Sequence, residues 1–192
     1  MKTLLAILVL IVGFSVLKSQ KEKNISLDYP SNSEESNPVL IVGLGEFRKE
    51  DLRKSKEILN EVFQMESQIA SPKNTMNSLY HHNSDTLVAE KVLNELKVGS
   101  RKVIYITSEP LVSKSSEKLR GMTHLGGSVV VVRGGEHLRE TLIHEIGHTY
   151  GLNHCEDLTC IMAIHNDAMD SGEFCRKCKK KLNNLRNAHG AK

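Results

Sequence analysis

The chain has 192 residues, of which 39% are hydrophobic and 26% are charged, and this composition is typical of a soluble globular domain. The length allows one domain with a sizeable hydrophobic core. The formal net charge is only +3, and it falls to about +1 if Lys2 and Lys18 are removed with the N-terminal segment. A balance so close to neutral gives no general electrostatic case for nucleic acid as a partner.

The N-terminus has the pattern of an export signal. Lys2 precedes an almost unbroken apolar run from Leu4 to Leu17. This run is shorter than the roughly twenty residues that a membrane helix needs, so we predict a signal peptide over residues 1–19. A retained N-terminal anchor is the alternative. The sequence thus predicts an exported protein, secreted or periplasmic, without stable membrane insertion once the signal is removed.

The rest of the chain predicts a polar spacer followed by one α/β domain. Residues 20–37 are rich in Ser, Asn and Lys and predict a flexible spacer before a domain over 38–192. Hydrophobic periodicity predicts a small twisted sheet with helices packed against it. The predicted elements, in order, are a strand at 39–43, a helix at 48–66, an irregular stretch at 67–84, a helix at 86–97 capped by Asp85, a strand at 103–107, two strands within 122–132 and a helix at 136–150.

The segment HEIGHTYGLNH, residues 144–154, predicts a metal site. Residues four apart share one face of a helix, so His144 and His148 can bind a single Zn²⁺. Gly151 can adopt the left-handed conformation that ends a helix, and the resulting turn can return His154 as a third ligand. Three protein ligands leave one coordination position open, which is typical of a catalytic zinc and not of a structural one.

Glu145 is the predicted catalytic residue. It follows the first ligand in sequence and points away from the face that His144 and His148 share. There it could act as the general base for water that the metal has made acidic, which predicts a zinc-dependent peptidase. The alternative from another class is a zinc-stabilised secreted binding protein without significant turnover. A purely structural site, however, has no use for a free carboxylate beside an open coordination position.

The four cysteines lie within 24 residues, in one CxxxxC and one CxxC pair: Cys155, Cys160, Cys175 and Cys178. Such spacing is close to that of structural zinc sites. Two disulfides are the alternative in an exported protein. A CxxC disulfide closes a very tight loop and is more usual in redox motifs, so a second Zn²⁺ is the favoured interpretation and disulfides stay open.

These motifs together resemble the archaemetzincins, a branch of the metzincin zinc peptidases. The resemblance lies in HEIGHTYGLNH followed at once by Cys155, then Cys160-Ile-Met162, then Cys175-Arg-Lys-Cys178. It implies a metzincin-like zincin fold, with a small twisted mixed sheet, an active-site helix and a short zinc-bound cysteine-rich C-terminal part. The spacer between Met162 and Cys175 is shorter than in the family pattern.

The resemblance also implies roles for particular residues. Met162 would form a turn beneath the catalytic zinc, and the four cysteines would bind a structural zinc next to it. Residues 121–127 would be an edge strand along the cleft, able to pair with an extended peptide or protein substrate.

Several other side chains are candidates for the active site. His165 could lie near the cleft, but a surface position is the simpler interpretation. His124 could line the cleft, although no spacing requires it. Periodicity favours a core position for Tyr150, and His81 and His82 have no partner at ligand spacing and are predicted to be exposed. Their roles, the substrate and the oligomeric state are not readable from the sequence.

The C-terminal stretch is strongly basic, with Arg176, Lys177, Lys179, Lys180, Lys181 and Arg186. Positive charge favours the C-terminal end of a helix, so the stretch is interpreted as a solvated helix end. It contains no aromatic residues, which argues against a nucleic-acid role.

Overall fold

The computed structural model describes residues 37–82, 84–164 and 172–190, with side chains described as far as residue 186. The predicted signal peptide, nearly all of the predicted spacer and His165 lie outside these residues. In the part of the chain that is described, no helix has both the length and the apolar character needed to cross a bilayer.

The described residues form helices and strands, with five strands in succession between the second and third helices. In order they are β1 (Val39–Gly43), α1 (Lys49–Phe63), β2 (Ser67–Ile69), β3 (Leu87–Val88), α2 (Ala89–Glu95), β4 (Val103–Thr107), β5 (Leu111–Val112), β6 (Lys118–Leu119), β7 (Gly121–Thr123), β8 (Val129–Arg133), α3 (Leu138–Thr149) and α4 (Arg176–Gly190). A short 3₁₀ helix, Asn77–Leu79, lies between β2 and β3.

A five-stranded mixed sheet in the order β2-β1-β4-β8-β7 forms the centre of the fold. The first four strands are parallel, and β7 pairs antiparallel with β8 at the edge. Strands β1 and β4 are buried along their whole length, as expected for central parallel strands made of β-branched residues. A smaller three-stranded sheet has the order β3-β5-β6. This arrangement confirms the predicted α/β fold.

The core has two halves, one on each face of the central sheet. Because successive side chains of a strand alternate between faces, Ile104 and Ile106 of β4 pack with α1 and α3, while Val103 and Tyr105 pack on the side of α2. The half beneath α3 also contains Cys160, Met162 and Cys178. The predicted cysteine-rich part is therefore continuous with the main hydrophobic core.

The predicted helix over 86–97 is wrong in its first turn. Leu87 and Val88 form β3 instead, α2 begins after them at Ala89, and no side chain caps it, so the predicted cap at Asp85 is also wrong. The cause is tertiary: Leu87 pairs with Leu111 in the smaller sheet, and such long-range pairing overrides local periodicity.

Three further differences concern short strands and the basic stretch. Residues 67–84, predicted to be irregular, include β2, which pairs with β1. Strands β5 and β6 have two residues each and are too short to show a period. The basic stretch was interpreted as a helix end, but α4 begins at Arg176, so five of its six cations lie in the first two turns.

Lys102, just before β4, connects the sheet to the C-terminal end of α3. Its Nζ donates a hydrogen bond to Thr149 Oγ1 at 2.8 Å and lies 4.6 Å from the centroid of the Tyr150 ring. A cation is favourable at the C-terminal end of a helix and over an aromatic face. Burial nevertheless lowers the pKa of Lys102 to about 8, so the charged form is held in the fold at a cost.

Replacing Lys102 with Met should remove one component of the pH dependence of stability. Between the folded pKa near 8 and the ordinary value of 10.5, the unfolded chain binds more protons, so the free energy of unfolding should rise with pH across this window. Urea unfolding from pH 7 to 10 should show wild type gaining up to ~3 kcal/mol relative to Lys102→Met. The exposed Lys97→Met is the control, and parallel pH profiles for wild type and Lys102→Met would contradict the assignment.

Candidate active site

Helix α3 presents two histidines on the face opposite its buried stripe. Leu138, Leu142 and Ile146 pack into the core, and His144 and His148 face away from the sheet at four-residue spacing. Their Nε2 atoms are 3.0 Å apart, and the ring centroids are 4.6 Å apart. The four-residue spacing therefore brings the Nε2 atoms of the two imidazole rings together.

Backbone carbonyls fix the orientation of both rings. Nδ1 of His144 lies 2.7 Å from the carbonyl oxygen of Ile161, and Nδ1 of His148 lies 2.7 Å from that of Leu152. Because a carbonyl can only accept, each Nδ1 carries the proton and donates it. In the neutral rings both Nε2 atoms then present lone pairs to each other. That arrangement is repulsive unless a cation lies between them, and it is the ligand orientation of metal-binding histidines.

The chain reverses direction immediately after α3. Gly151 has φ +81°, its N–H donates to the carbonyl of His148, and the N–H of Leu152 donates to the carbonyl of Gly147. These two bonds with a left-handed residue make a Schellman motif, for which glycine is the preferred residue. The reversal brings His154 back so that ligand nitrogens of all three histidines lie within 4.8 Å of one another.

The donor set of this histidine triad (His144, His148 and His154) fits Zn²⁺. Tetrahedral zinc with Zn–N bonds of about 2.0–2.1 Å places ligand nitrogens about 3.4 Å apart, close to the spacing of the helical pair. Burial lowers the pKa of His144 to about 4 and also lowers the pKa of His148. Both rings are thus neutral near pH 7, as metal ligation requires. His154 is exposed, which leaves the site open on one side.

Glu145 lies buried between α3 and the edge strand, with 8% of its surface exposed. Burial raises its pKa to about 8, and a hydrogen bond from the Thr123 backbone opposes this shift. Gly121 makes the close approach possible, because a Cβ there would come within 2.7 Å of Thr141 and 3.0 Å of Glu145. The carboxyl group is therefore held against β7.

The four cysteines also meet at one point. All are free, and their Sγ atoms lie within 4.8 Å of one another. The Cys155 and Cys175 sulfurs are 3.8 Å apart, which matches the edge of a tetrahedron with Zn–S bonds of about 2.3 Å. Burial raises the pKa of Cys160 and Cys178, so a cation is needed to hold them as thiolates. This four-cysteine cluster fits a second, structural zinc and not two disulfides.

The two clusters are mechanically linked. Cys155 directly follows His154, and its N–H donates to the carbonyl of Met162 at 2.8 Å. The Ile161 carbonyl, which orients His144, belongs to the same short segment. Met162 is fully buried, and its sulfur fills the space beside Gly147, where a Cβ would approach it to 2.5 Å. Met162 thus lies against α3 at Gly147, which stands between His144 and His148 in the sequence.

The structure also locates the secondary candidates. His124 is exposed in the loop after β7, where Gly126 donates to the carbonyl of His148. Tyr150 is half-buried and stacks on Phe63 at 6.1 Å between ring centroids, in accord with its predicted core position. His81 and His82 are exposed, as predicted.

Sequence reasoning missed the groups that orient the site. The carbonyls of Ile161 and Leu152 carry no sequence signal, because any residue supplies a carbonyl. Lys102 and Gly121 are also distant from the motif in sequence. A glycine at the start of a predicted edge strand was the only available hint for Gly121.

Fold and site together define a zinc metallopeptidase of the metzincin type. The profile for "Peptidase family M54" matches residues 136–184. The archaemetzincin of Haloarcula marismortui is 28% identical over 170 residues, which cover 75% of this chain and 98% of the relative. These matches support the resemblance to the archaemetzincin family that the sequence motifs indicated.

Solved structures agree on the fold. The crystal structure of archaemetzincin from Archaeoglobus fulgidus, complexed with malonate, has a TM-score of 0.66 at 20% identity and covers 74% of this chain and 99% of that one. The archaemetzincin from Methanopyrus kandleri has a TM-score of 0.66 at 22% identity, covering 81% and 98%.

The linkage between the clusters predicts an effect at a distance. Cys178→Ser and Cys155→Ser should each weaken zinc binding at the histidine triad by ~10–100-fold, because they loosen the segment that orients His144 and carries His154. Cobalt substitution distinguishes the two sites, since thiolate ligands give charge-transfer bands that imidazoles lack. Chelator competition then measures each affinity.

The matched control is Leu158→Ala, an exposed residue of the loop between Cys155 and Cys160. It should leave both affinities unchanged. Unaltered affinity at the histidine triad in both serine variants would show that the two clusters act independently.

Proposed function

We propose that this peptidase binds its catalytic Zn²⁺ through His144, His148 and His154 and uses Glu145 as general base. The observation that carries the assignment is the pair of Nε2 lone pairs that converge at 3.0 Å, fixed by the two Nδ1 hydrogen bonds. Glu145 follows His144 on the same helix and is no part of the ligand set, which fits the role of a proton acceptor.

The chain's own residues supply the proton transfers. When bound, Zn²⁺ supplies a Lewis acid that polarises a peptide carbonyl and makes water acidic near neutral pH. Glu145 accepts a proton from the attacking water through a carboxylate oxygen, and then delivers it to the nitrogen of the leaving amine. Burial makes this carboxylate a stronger acceptor than an exposed glutamate, and a neighbouring cation favours its ionised form.

The proposed substrate is a peptide or protein bound in an extended conformation. Within the described residues, β7 pairs with β8 on one side and has no strand on the other, so its outer edge is available for β-augmentation. Gly121 of the same strand lies against Glu145. A peptide added along β7 would therefore bring its backbone close to the proposed general base.

Glu145→Gln tests the general-base assignment. The substitution keeps the shape of the side chain and removes its basicity, so peptidase activity on a diverse peptide library should fall by ~10²–10⁴-fold while zinc content stays equal to wild type. Glu140→Gln, on the same helix, is the control and should retain activity. Activity surviving in Glu145→Gln would refute the assignment. Zinc-loaded wild type without turnover would favour the binding-protein alternative.

We also propose that the protein is exported. The support is the apolar run from Leu4 to Leu17 behind Lys2. Expression of the full chain followed by cell fractionation and N-terminal sequencing should find a mature form outside the cytoplasm that begins near Gln20. An uncleaved chain in the membrane fraction would indicate the anchor alternative, and a cytoplasmic chain starting at Met1 would exclude export.

A further inference from the structure

Helix α4 carries a concentration of positive charge. Its sequence contains six Lys and Arg residues and no Asp or Glu. The whole chain has a net charge of +3, so subtracting the +6 of α4 leaves −3 for all other residues. Six of the 26 Lys and Arg residues of the chain therefore lie on one helix that has no acidic residue.

These cations lie at the unfavourable end of their helix. Arg176, Lys177 and Lys179 fall in its first turn, which has no acidic residue, although the N-terminal end of a helix favours negative charge. Helices α1 and α3 pair some of their charges, since Lys54 binds Glu50 at 2.7 Å and Arg139 binds Glu61 at 2.9 Å. No ion pair within the described residues involves the cations of α4.

The four-cysteine cluster balances only part of this charge. Four thiolates around one Zn²⁺ have a net negative charge, and Cys178 lies between Lys177 and Lys179. Arg176 and Lys180, however, are four residues apart and share the outer face, on the opposite side from Cys178 and Leu182. The first pair is exposed and the second is buried, so the outer cations point away from the cluster.

We propose that the outer face of α4, formed by Arg176, Lys177, Lys179 and Lys180, binds the surface of an anionic lipid bilayer. The apolar side of α4 packs in the hydrophobic core. The contact with the bilayer is therefore electrostatic, and the helix does not insert into the bilayer. All four side chains are long, exposed and arranged along one helix, which fits an extended charged plane and offers no pocket for a discrete anion. The outer face has no aromatic residue to stack on bases, which disfavours single-stranded nucleic acid.

Two further observations support this partner. The apolar run from Leu4 to Leu17 is predicted to bring the chain to a membrane during export. Lys181, the next cation of α4, donates to the carbonyl of Gly151, in the turn that returns His154. The basic face thus lies beside the active-site turn, and membrane binding would hold the peptidase against proteins at the lipid surface.

The test is vesicle sedimentation of the full chain. Vesicles of phosphatidylcholine with about 30% phosphatidylglycerol should bind it more tightly than phosphatidylcholine alone, and raising salt from about 0.05 to 0.5 M should abolish the difference. Comparing the two lipids separates electrostatic binding from hydrophobic insertion, which does not need anionic headgroups.

Two variants separate the basic face from total charge. Arg176→Gln/Lys177→Gln/Lys179→Gln/Lys180→Gln should bind anionic vesicles at least ~10-fold more weakly, and the milder Arg176→Gln/Lys180→Gln at least ~3-fold. The control Lys49→Gln/Arg53→Gln/Lys56→Gln/Lys97→Gln removes the same charge from exposed positions elsewhere and should bind like wild type. Zinc content and peptidase activity equal to wild type verify that each variant is folded.

Three results would overturn the proposal. Equal binding to neutral and anionic vesicles would exclude an electrostatic contact. An equal loss in the control variant would show that total charge matters and the α4 face does not. Displacement of the protein from anionic vesicles by a substoichiometric amount of single-stranded DNA would make nucleic acid the partner.

Discussion

The histidine pair of α3 is useful only because two carbonyls hold it. A helix places His144 and His148 on one face, but it does not decide which nitrogen of each ring faces the metal. The carbonyls of Ile161 and Leu152 decide that by accepting from Nδ1. Both belong to the chain that follows Gly151, so the reversal at this glycine orients the ligands as well as returning His154. The active-site helix is therefore incomplete as a metal site without the segment after it.

The segment after Gly151 has little regular secondary structure. The four-cysteine cluster, and not a sheet or a helix, fixes its conformation. The N–H of Cys155 donates to the carbonyl of Met162, the N–H of Ile161 donates to the carbonyl of Glu173, and the N–H of Cys175 donates to the Cys160 sulfur. A bound metal would stabilise the conformation of this hydrogen-bonded segment, because the free energy of metal binding to such ligands also contributes to the free energy of folding. In this protein the structural metal and the catalytic site are thus parts of one folding unit.

The features that were predicted correctly depend on residues that are close together in the sequence. The predictions failed where contacts between distant segments determine the structure. Spacing predicted α3 and its ligands, and β-branched runs predicted β1, β4 and β8, because each pattern follows from the geometry of one element. The helix predicted over 86–97 lost its first turn to the pairing of Leu87 with Leu111, which no local period reveals. The carbonyl acceptors, the contact of Gly121 with Glu145, and the position of Lys102 under α3 likewise depend on tertiary packing. The roles of the triad and of Glu145 stay predictions that the geometry supports.

Two elements that the sequence did not predict correctly, β3 and the start of α4, differ in how the surrounding structure offsets the local preference that each of them breaks. At β3 the local preference for a helix is outweighed by strand pairing and by packing in the hydrophobic core. At α4 the helix begins with cations where its dipole favours anions, and the described part of the chain supplies the buried thiolates on one side only. Natural sequences break local rules mainly at functional sites. The basic face of α4 breaks such a rule on an exposed surface, where the described part of the chain supplies no ion pair. This agrees with a counter-charge outside the chain, such as the proposed lipid surface.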